Sequence, residues 1–242
     1  MQVILQSVLA ACGFIGFGWA AWAFSSEVQV VQLRDVAERM IVRQTFTIES
    51  LNPLLEHLDS TQRERSCSNG ADHVAVVRLY VAALTQSTQT PDAQQHLSKA
   101  YEAMVAALKC SPHQGFLWYG LFWLEKSLGA EPSKYLRMLD LSYELSPYEG
   151  WIARFRNPDA LELYPILNPR LQDRVRAEYR YLIRDRSEVA VGTLEEASPV
   201  ARKAIMNILE ELPLDVRERF ATEVDRANLL IDVPGIDYRR RR

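Results

Sequence analysis

Aromatic and arginine side chains, the groups best suited to hold a partner by stacking, are concentrated in the middle of the chain. Tryptophan and arginine are enriched at the centres of binding interfaces. The residues predicted to bind a partner are Trp118, Trp123, Trp151, Arg154 and Arg156. An open groove lined by them would stack an aromatic side chain or a sugar ring. Residues 116–124 carry no charge, however, and a helix that is apolar on every side is buried on every side. Core packing is therefore the alternative for these aromatic residues.

The sequence patterns that are typical of catalytic and metal sites do not occur. The four histidines are far apart and form no His-x-x-x-His pair, so no metal site is predicted. The nucleophile elbow, the P-loop and the dinucleotide glycine fingerprint do not occur either. We therefore predict that the protein is not an enzyme and holds no cofactor. The alternative is an enzyme with an unrecognised pair of carboxylates, because two acids that meet only across the fold leave no local pattern.

Composition excludes one class of partner. Among 242 residues, 28 are lysine or arginine and 31 are aspartate or glutamate, which gives a net charge of -3. A nucleic-acid-binding domain carries a basic excess, so no nucleic acid is predicted as a partner. The apolar share of 48% is enough to build a core.

The first 26 residues differ from the rest, because every charged side chain follows position 26. Residues 3–24 are apolar except for Gln6 and Ser7. A helix needs about 20 such residues to cross a bilayer, so we predict a transmembrane anchor over residues 1–26. A cleaved signal peptide and a lipoprotein signal ending at Cys12 are the alternatives. Both are disfavoured because no lysine or arginine precedes the apolar run, which is also long for a signal.

Small side chains recur within this predicted anchor. Cys12, Gly16 and Ala20 are four residues apart and would share one helix face. Faces of small residues let membrane helices approach closely, so these three residues are predicted to pack against another helix. The alternative is chance, since glycine and alanine are common in membrane spans.

The elements that carry the aromatic residues are predicted to be helices arranged as a repeat. Residues 146–151 (Ser-Pro-Tyr-Glu-Gly-Trp) repeat residues 111–116 (Ser-Pro-His-Gln-Gly-Phe) after 35 positions. Serine followed by proline is typical of a helix start, so Ser111 and Ser146 are each predicted to cap the helix that follows. Apolar residues at a spacing of three and four indicate further helices, and no segment predicts a strand.

Residues 72–156 resemble the tetratricopeptide-repeat family, whose helix pairs recur about every 34 residues. In that family a proline closes each repeat and an aromatic residue opens the next. Pro112 with Phe116, and Pro147 with Trp151, match these positions. The resemblance implies a surface that binds other proteins.

The predicted fold is all-α, with an N-terminal transmembrane helix, a tetratricopeptide-like array of α-hairpins and a C-terminal helical extension. The predicted divisions are an anchor at 1–26, a juxtamembrane helical stalk at 27–70, repeats at 71–157, and C-terminal helices with a basic tail at 158–242.

Cys67 and Cys110 are predicted to form a disulfide bond. Cys67 precedes a helix that begins near Asp72, and Cys110 ends a helix that begins near Asp92. In an antiparallel pair the start of the first helix lies beside the end of the second, which would bring the two thiols together. Two unpaired thiols are the alternative, because sequence does not fix connectivity.

The predicted location follows from the anchor and the cysteines. Disulfides persist in the periplasm and are rare in the cytosol, so we predict a single pass through the inner membrane with the soluble domain in the periplasm. Arg34, Arg39 and Arg43 follow the predicted span and favour the cytoplasmic side by the positive-inside rule. The sequence leaves that side open.

These features predict a scaffold or accessory subunit of a bacterial-type envelope complex for secretion, polymer export or envelope assembly. The predicted partners are the lipid bilayer, through the N-terminal helix, and other membrane or envelope proteins, with a polysaccharide as a further candidate. The alternative is a periplasmic glycan- or ligand-binding protein that uses the aromatic groove.

Overall fold

The computed structural model describes residues 13–14, 16–19, 31–42, 44–61, 70–147, 149–194 and 197–237. These residues form an all-α fold without a strand, which confirms the predicted class of secondary structure. The chain divides into two compact units, Met1–Pro112 and His113–Arg242.

The helices described in the first unit are α1 (residues 31–41), α2 (Ile48–Thr61), α3 (Ala71–Ser87) and α4 (Ala93–Cys110). Apolar residues at a spacing of three and four place one face of α1 and one face of α2 against α3. The shared core is Leu33, Ala37, Met40, Leu51, Leu55, Leu58, Val77 and Val81.

Helices α3 and α4 form an antiparallel hairpin that is closed by small side chains. Ala75 and Ala82 of α3 are fully buried, as is Ala100 of α4. Small residues at a helix contact allow a short distance between the helix axes. Asp92 stands directly before α4, where the sequence predicted a helix start.

The helices described in the second unit are α5 (Gly115–Ser127), α6 (Pro132–Leu145), α7 (Gly150–Glu162), α8 (Pro169–Asp185), α9 (Ser187–Gly192), α10 (Pro199–Glu210) and α11 (Leu214–Arg226). A 3₁₀ turn, Tyr164–Ile166, connects α7 to α8. Helices α5 and α6 form one hairpin and α7 and α8 form the next, while α9, α10 and α11 pack against α8.

Helix α5, whose residues 116–124 carry no charge, is buried on more than one side, as its sequence predicted. Leu117 and Phe122 are both fully buried, although five residues place them about 140° apart around a helix. Aromatic rings continue the core into α6 and α7. Phe116 lies 4.9 Å from Trp151, and Phe122 lies 5.9 Å from Tyr135, measured between ring centroids.

The 35-residue sequence repeat is also a repeat of backbone geometry. Ser111 has φ -133° and ψ 63°, and Ser146 has φ -138° and ψ 63°. Gln114 and Glu149, which precede α5 and α7, have φ -80° and -83° with ψ 106° and 95°. The chain therefore leaves one helix and enters the next in the same way at both positions.

The predicted helix starts at Ser111 and Ser146 are wrong. Both serines end a helix: the Ser111 amide donates to the carbonyl of Ala107 at 2.9 Å, and the Ser146 amide donates to the carbonyl of Ser142 at 3.1 Å. Proline disfavours helical backbone in the residue before it, so Ser-Pro stops the preceding helix here. The next helices begin at Gly115 and Gly150.

The predicted transmembrane helix is not found, so the predicted fold class is wrong in that part. No helix that the structure describes is long and apolar enough to cross a membrane. In the segment 3–24, helix is described for residues 13–14 and 16–19, whereas a span needs about 20 consecutive apolar residues. The longest described helix, α4, has 18 residues and carries Lys99, Glu102 and Lys109. The predicted single-pass location in the inner membrane is also wrong, because that prediction depended on the transmembrane helix.

The structure describes one of the three residues that were predicted to pack against another membrane helix. Gly16 is helical and exposed, whereas Cys12 and Ala20 lie outside the described residues.

Candidate functional site

A groove of about 600 Å³ opens along α8 in the second unit, between α8 and the ends of α6 and α7. We call it the α8 groove. Its walls combine small or aromatic apolar groups with charged side chains. The lining residues are Tyr143, Glu144, Pro147, Ala153, Arg174, Ala177, Glu178, Arg180, Tyr181, Arg184 and Asp185. A volume of this size falls in the range of about 300–1,000 Å³ that is usual for ligand sites.

A buried ion pair between α7 and α8 lies beneath the α8 groove. Arg156 of α7 is fully buried, and its Nη2 donates to Oε1 of Glu178, whose side chain is 3% exposed. Isolated buried charges are costly, so a guanidinium can be held here only because a carboxylate and further acceptors surround it.

Arg156 also holds the end of α6. Its Nη1 donates to the carbonyl of Ser142 at 2.7 Å and to Oγ of the same residue at 2.9 Å, and its Nη2 donates to the carbonyl of Ser146 at 3.0 Å. The Ser146 carbonyl directly follows the last turn of α6, where helix carbonyls lack helical partners and carry partial negative charge, whereas the Ser142 carbonyl also accepts from the Ser146 amide. One side chain thus joins α6, α7 and α8.

Tyr143 of α6 lies against this network and lines the groove. The Arg156 guanidinium lies 3.9 Å from the Tyr143 ring centroid, a cation–π contact. Burial, followed by the negative charge of Glu178, raises the pKa of the Tyr143 hydroxyl well above its usual value. Burial lowers the pKa of Arg156, but Glu178 and Tyr143 outweigh that effect and raise it.

Asn157 completes the buried polar cluster. Its Nδ2 donates to Oε2 of Glu178 and to the carbonyl of Val175, both at 3.2 Å. Three buried atoms of the cluster make no hydrogen bond with any residue that the structure describes: Nε of Arg156, Oδ1 of Asn157 and Oη of Tyr143. Each such atom forgoes about 1–3 kcal/mol of hydration without a replacement, so the cluster is less stabilising than its many contacts suggest.

The charged wall of the groove is α8. Arg174 donates to Oδ1 of Asp140 at 2.8 Å, and Arg180 donates to Oε2 of Glu211 at 2.5 Å. Arg184 is exposed and makes no ion pair with a residue that the structure describes.

Tyr181 forms the most exposed aromatic part of the wall. It is 37% exposed, and its ring lies over the start of α7 at Gly150. A Cβ at position 150 would lie 2.8 Å from Oη of Tyr181, so glycine is required there for this approach. The groove therefore presents an aromatic face close to Arg184, which lies one turn further along α8.

The five residues predicted to bind a partner do not form one groove. Arg156 is fully buried and lies beneath the α8 groove without lining it. Trp151 is half-buried; its ring packs on Phe116 and its Nε1 donates to Oε2 of Glu149 at 2.8 Å. Arg154 is half-buried, with its guanidinium 5.3 Å from the centroid of the Phe155 ring.

Trp118 and Trp123 are half-buried on α5. Five residues separate them, which places their side chains about 140° apart around the helix. A single aromatic groove lined by both is therefore not formed by this helix.

Sequence reasoning missed Tyr143, Glu178, Tyr181 and Arg184 as a group. One signal was present. The residues 35 positions before Arg156 and Asn157 are Leu121 and Phe122. A charged residue at a position that is apolar in the preceding repeat indicates a buried polar contact.

Metal and disulfide chemistry can be assessed for part of the chain. Among the described residues, no group of three or more histidine, cysteine, aspartate or glutamate side chains is placed to hold a metal ion. Cys110 ends α4 and is disulfide-bonded. Cys67 lies outside the described residues, so its pairing with Cys110 stays a prediction.

No family model, no curated protein and no solved structure matches the chain.

Proposed function

We propose that the protein is a non-enzymatic helical scaffold that holds a segment of a partner protein in the α8 groove. The observation that carries this proposal is the groove itself, which combines a large open volume with an exposed tyrosine and three arginines among its lining residues. Tyrosine and arginine are among the side chains that are enriched at the centres of protein interfaces.

The helical repeat supports the same proposal. Two consecutive hairpins enter their helices with matching backbone angles, which supports the resemblance to tetratricopeptide repeats. Stacked helix pairs of that kind commonly form extended protein-binding surfaces. The acid that lines the groove most deeply, Glu178, is held by Arg156 and Asn157, so it is a structural group and not a free acid or base.

Site-directed photo-crosslinking in the cells that naturally make the protein tests this proposal. A benzoylphenylalanine replaces Tyr181 in one full-length variant and Arg137 in a control. Arg137 lies on the same α6–α8 part of the chain and is exposed, but it does not line the groove. We expect a discrete protein adduct from position 181 and none from position 137. Equal adducts from both positions, or none from position 181, would contradict the proposal.

A further inference from the structure

We propose that the segment held in the α8 groove is acidic and places a carboxylate on Arg184. This inference rests on the proposed function and adds the chemistry of the partner. It comes from the way in which the charges of α8 are paired.

Three arginines form a row along α8, at positions 176, 180 and 184. Residues four apart on a helix are neighbours, and like charges at that spacing destabilise the helix. Two of the three are matched: Arg176 pairs with Asp173, and Arg180 pairs with Glu211 at 2.5 Å. Arg184, the last of the row, has no ion-pair partner among the residues that the structure describes.

The remaining charges of the groove are largely matched. Arg174 pairs with Asp140 at 2.8 Å, and Glu144 pairs with Arg170 at 3.3 Å. Glu178 is held by Arg156. Among these lining groups, Arg184 is the cation that is open to a new partner.

Asp185 also lines the groove and is the acid that a basic partner would use. It follows Arg184 directly, and consecutive residues of a helix do not face each other. Arg184 lies four residues after Arg180, so a partner carboxylate would relieve the repulsion between two like charges, whereas the residue four positions before Asp185 is the uncharged Tyr181. Arg184 is therefore the better placed of the two to receive a charged partner group.

The apolar part of the groove adds a second requirement. Tyr181 and Ala177 of α8 face Pro147 and Ala153 across the groove. An apolar side chain of the bound segment would cover these groups, while a guanidinium can take a carboxylate through two parallel hydrogen bonds. The expected segment thus carries an aspartate or glutamate next to an aliphatic or aromatic residue.

Selection from a random peptide library displayed on phage tests this inference with the full-length chain. Selections run in parallel on the unmodified protein, on Arg184→Glu and on Arg137→Glu. Neither arginine has an ion-pair partner among the described residues, so charge reversal breaks no such salt bridge in either variant. Binding of the selected peptides is then measured by fluorescence anisotropy, and circular dichroism confirms that each variant is folded.

We expect peptides from the unmodified protein and from Arg137→Glu to be enriched in aspartate and glutamate. Their Kd should rise about tenfold on Arg184→Glu, as for loss of one ion pair near the edge of an interface. Peptides that are rich in lysine and arginine, or acidic peptides whose Kd does not change on Arg184→Glu, would overturn the inference but leave the groove as a binding surface. Failure of the crosslink at position 181 would instead overturn the proposed function.

Discussion

The two hairpins of the second unit follow one sequence repeat but bury opposite chemistry. In α5, Leu121 and Phe122 are 5% and 0% exposed. The residues 35 positions later in α7 are Arg156 and Asn157, and both are fully buried. At these repeat positions the first hairpin closes on aliphatic and aromatic groups, and the second closes on a guanidinium, an amide and a carboxylate. The first hairpin does bury Glu125, near the end of α5, which pairs with Lys134 at 2.7 Å.

Apolar and charged groups differ in how much their burial stabilises a fold and in how strictly it requires a fixed geometry. Burial of an apolar side chain contributes about 1.5–3 kcal/mol and needs no fixed direction. A buried ion pair gains little net free energy, but losing one partner leaves a charge without compensation. We infer that the first hairpin supplies stability, whereas the second fixes the ends of α6, α7 and α8 that border the α8 groove.

Removal of one charge from the second hairpin is expected to have the largest effect. Glu178→Ala leaves Arg156 buried without its carboxylate and should lower the free energy of unfolding by about 3–5 kcal/mol. Urea denaturation measures the change. The double variant Arg156→Leu with Glu178→Leu should recover most of the loss, since apolar groups commonly replace a buried pair without cost. A double variant as unstable as the single one would show that the cluster does not behave as a unit.

The matching change in the first hairpin is Phe122→Ala. It removes a fully buried ring and should cost about 3–5 kcal/mol by loss of burial and creation of a cavity. Unlike the loss at Glu178, this loss should not be recovered by changing a polar neighbour. A loss below about 1 kcal/mol, the cost of a small core change such as Ile→Val, would remove the basis for assigning stability to this hairpin.

The first residues of α5 and α7 predict a smaller difference in stability between the two hairpins. In Gly115→Ala, the new Cβ would lie 2.4 Å from Oγ of Ser146 and 2.9 Å from the carbonyl oxygen of Ser142. Backbone atoms cannot move aside cheaply, so we expect a loss of about 1–3 kcal/mol. In Gly150→Ala the contacts are with the far end of the Tyr181 ring, which can rotate into solvent.

Thermal unfolding of the two glycine variants compares these positions. The Tm of Gly115→Ala should fall clearly, while that of Gly150→Ala should change little. Equal losses would mean that Tyr181 is held as firmly as the backbone at Ser142, in contradiction of its exposed position.

Sequence patterns predicted the helices better than they predicted what the helices bury. Apolar spacing indicates a helix face whatever it packs against. At Ser198–Pro199 the serine–proline pattern does mark a helix start, since Oγ of Ser198 accepts from the amide of Ala201 at 3.2 Å. The same serine–proline pattern failed at Ser111 and Ser146, because it fits the end of one helix as well as the start of the next. Local sequence does not distinguish these two outcomes.

The candidate site was predictable only in part. Arg156 was predicted to line a groove as an exposed residue, whereas it is buried. The sequence does not show this, because its burial depends on Glu178, which follows 22 positions later. One wall of the groove comes from α8, whose arginines look like ordinary solvated charges until partners such as Asp140 of α6 and Glu211 are known. Comparison of the two repeats at positions 121 and 156 is the one sequence argument that points to the buried cluster.

Alkaline pH tests the buried cluster of the second hairpin through Tyr143. Its pKa is raised well above 10.0 in the folded protein, so above about pH 10 the unfolded chain loses this proton while the folded chain keeps it. Stability should therefore fall by about 1.4 kcal/mol per pH unit for this residue as pH rises above 10. Tyr143→Phe should remove that share of the slope.

Urea denaturation at several pH values above and below 10 measures this slope. Tyr143→Phe should be close to neutral at pH 7, because the buried hydroxyl makes no hydrogen bond with a residue in the described part of the chain. A large loss at pH 7 would show that the hydroxyl stabilises the cluster.

The smallest expected effect lies at the starts of the second helices of the hairpins. Asn168 caps α8, and its Oδ1 accepts from the amide of Leu171 at 2.9 Å. Glu131, in the same place before α6, makes no capping hydrogen bond with its side chain. Asn168→Ala should therefore cost about 1 kcal/mol, whereas Glu131→Ala should change the free energy of unfolding little. Urea denaturation of both variants checks the contrast. The cap and the buried pair can also be tested for coupling. If α8 needs its cap because its inner face holds a charge at Glu178, Asn168→Ala should cost less in the Arg156→Leu, Glu178→Leu background. An unchanged cost would show that the cap and the buried pair act independently.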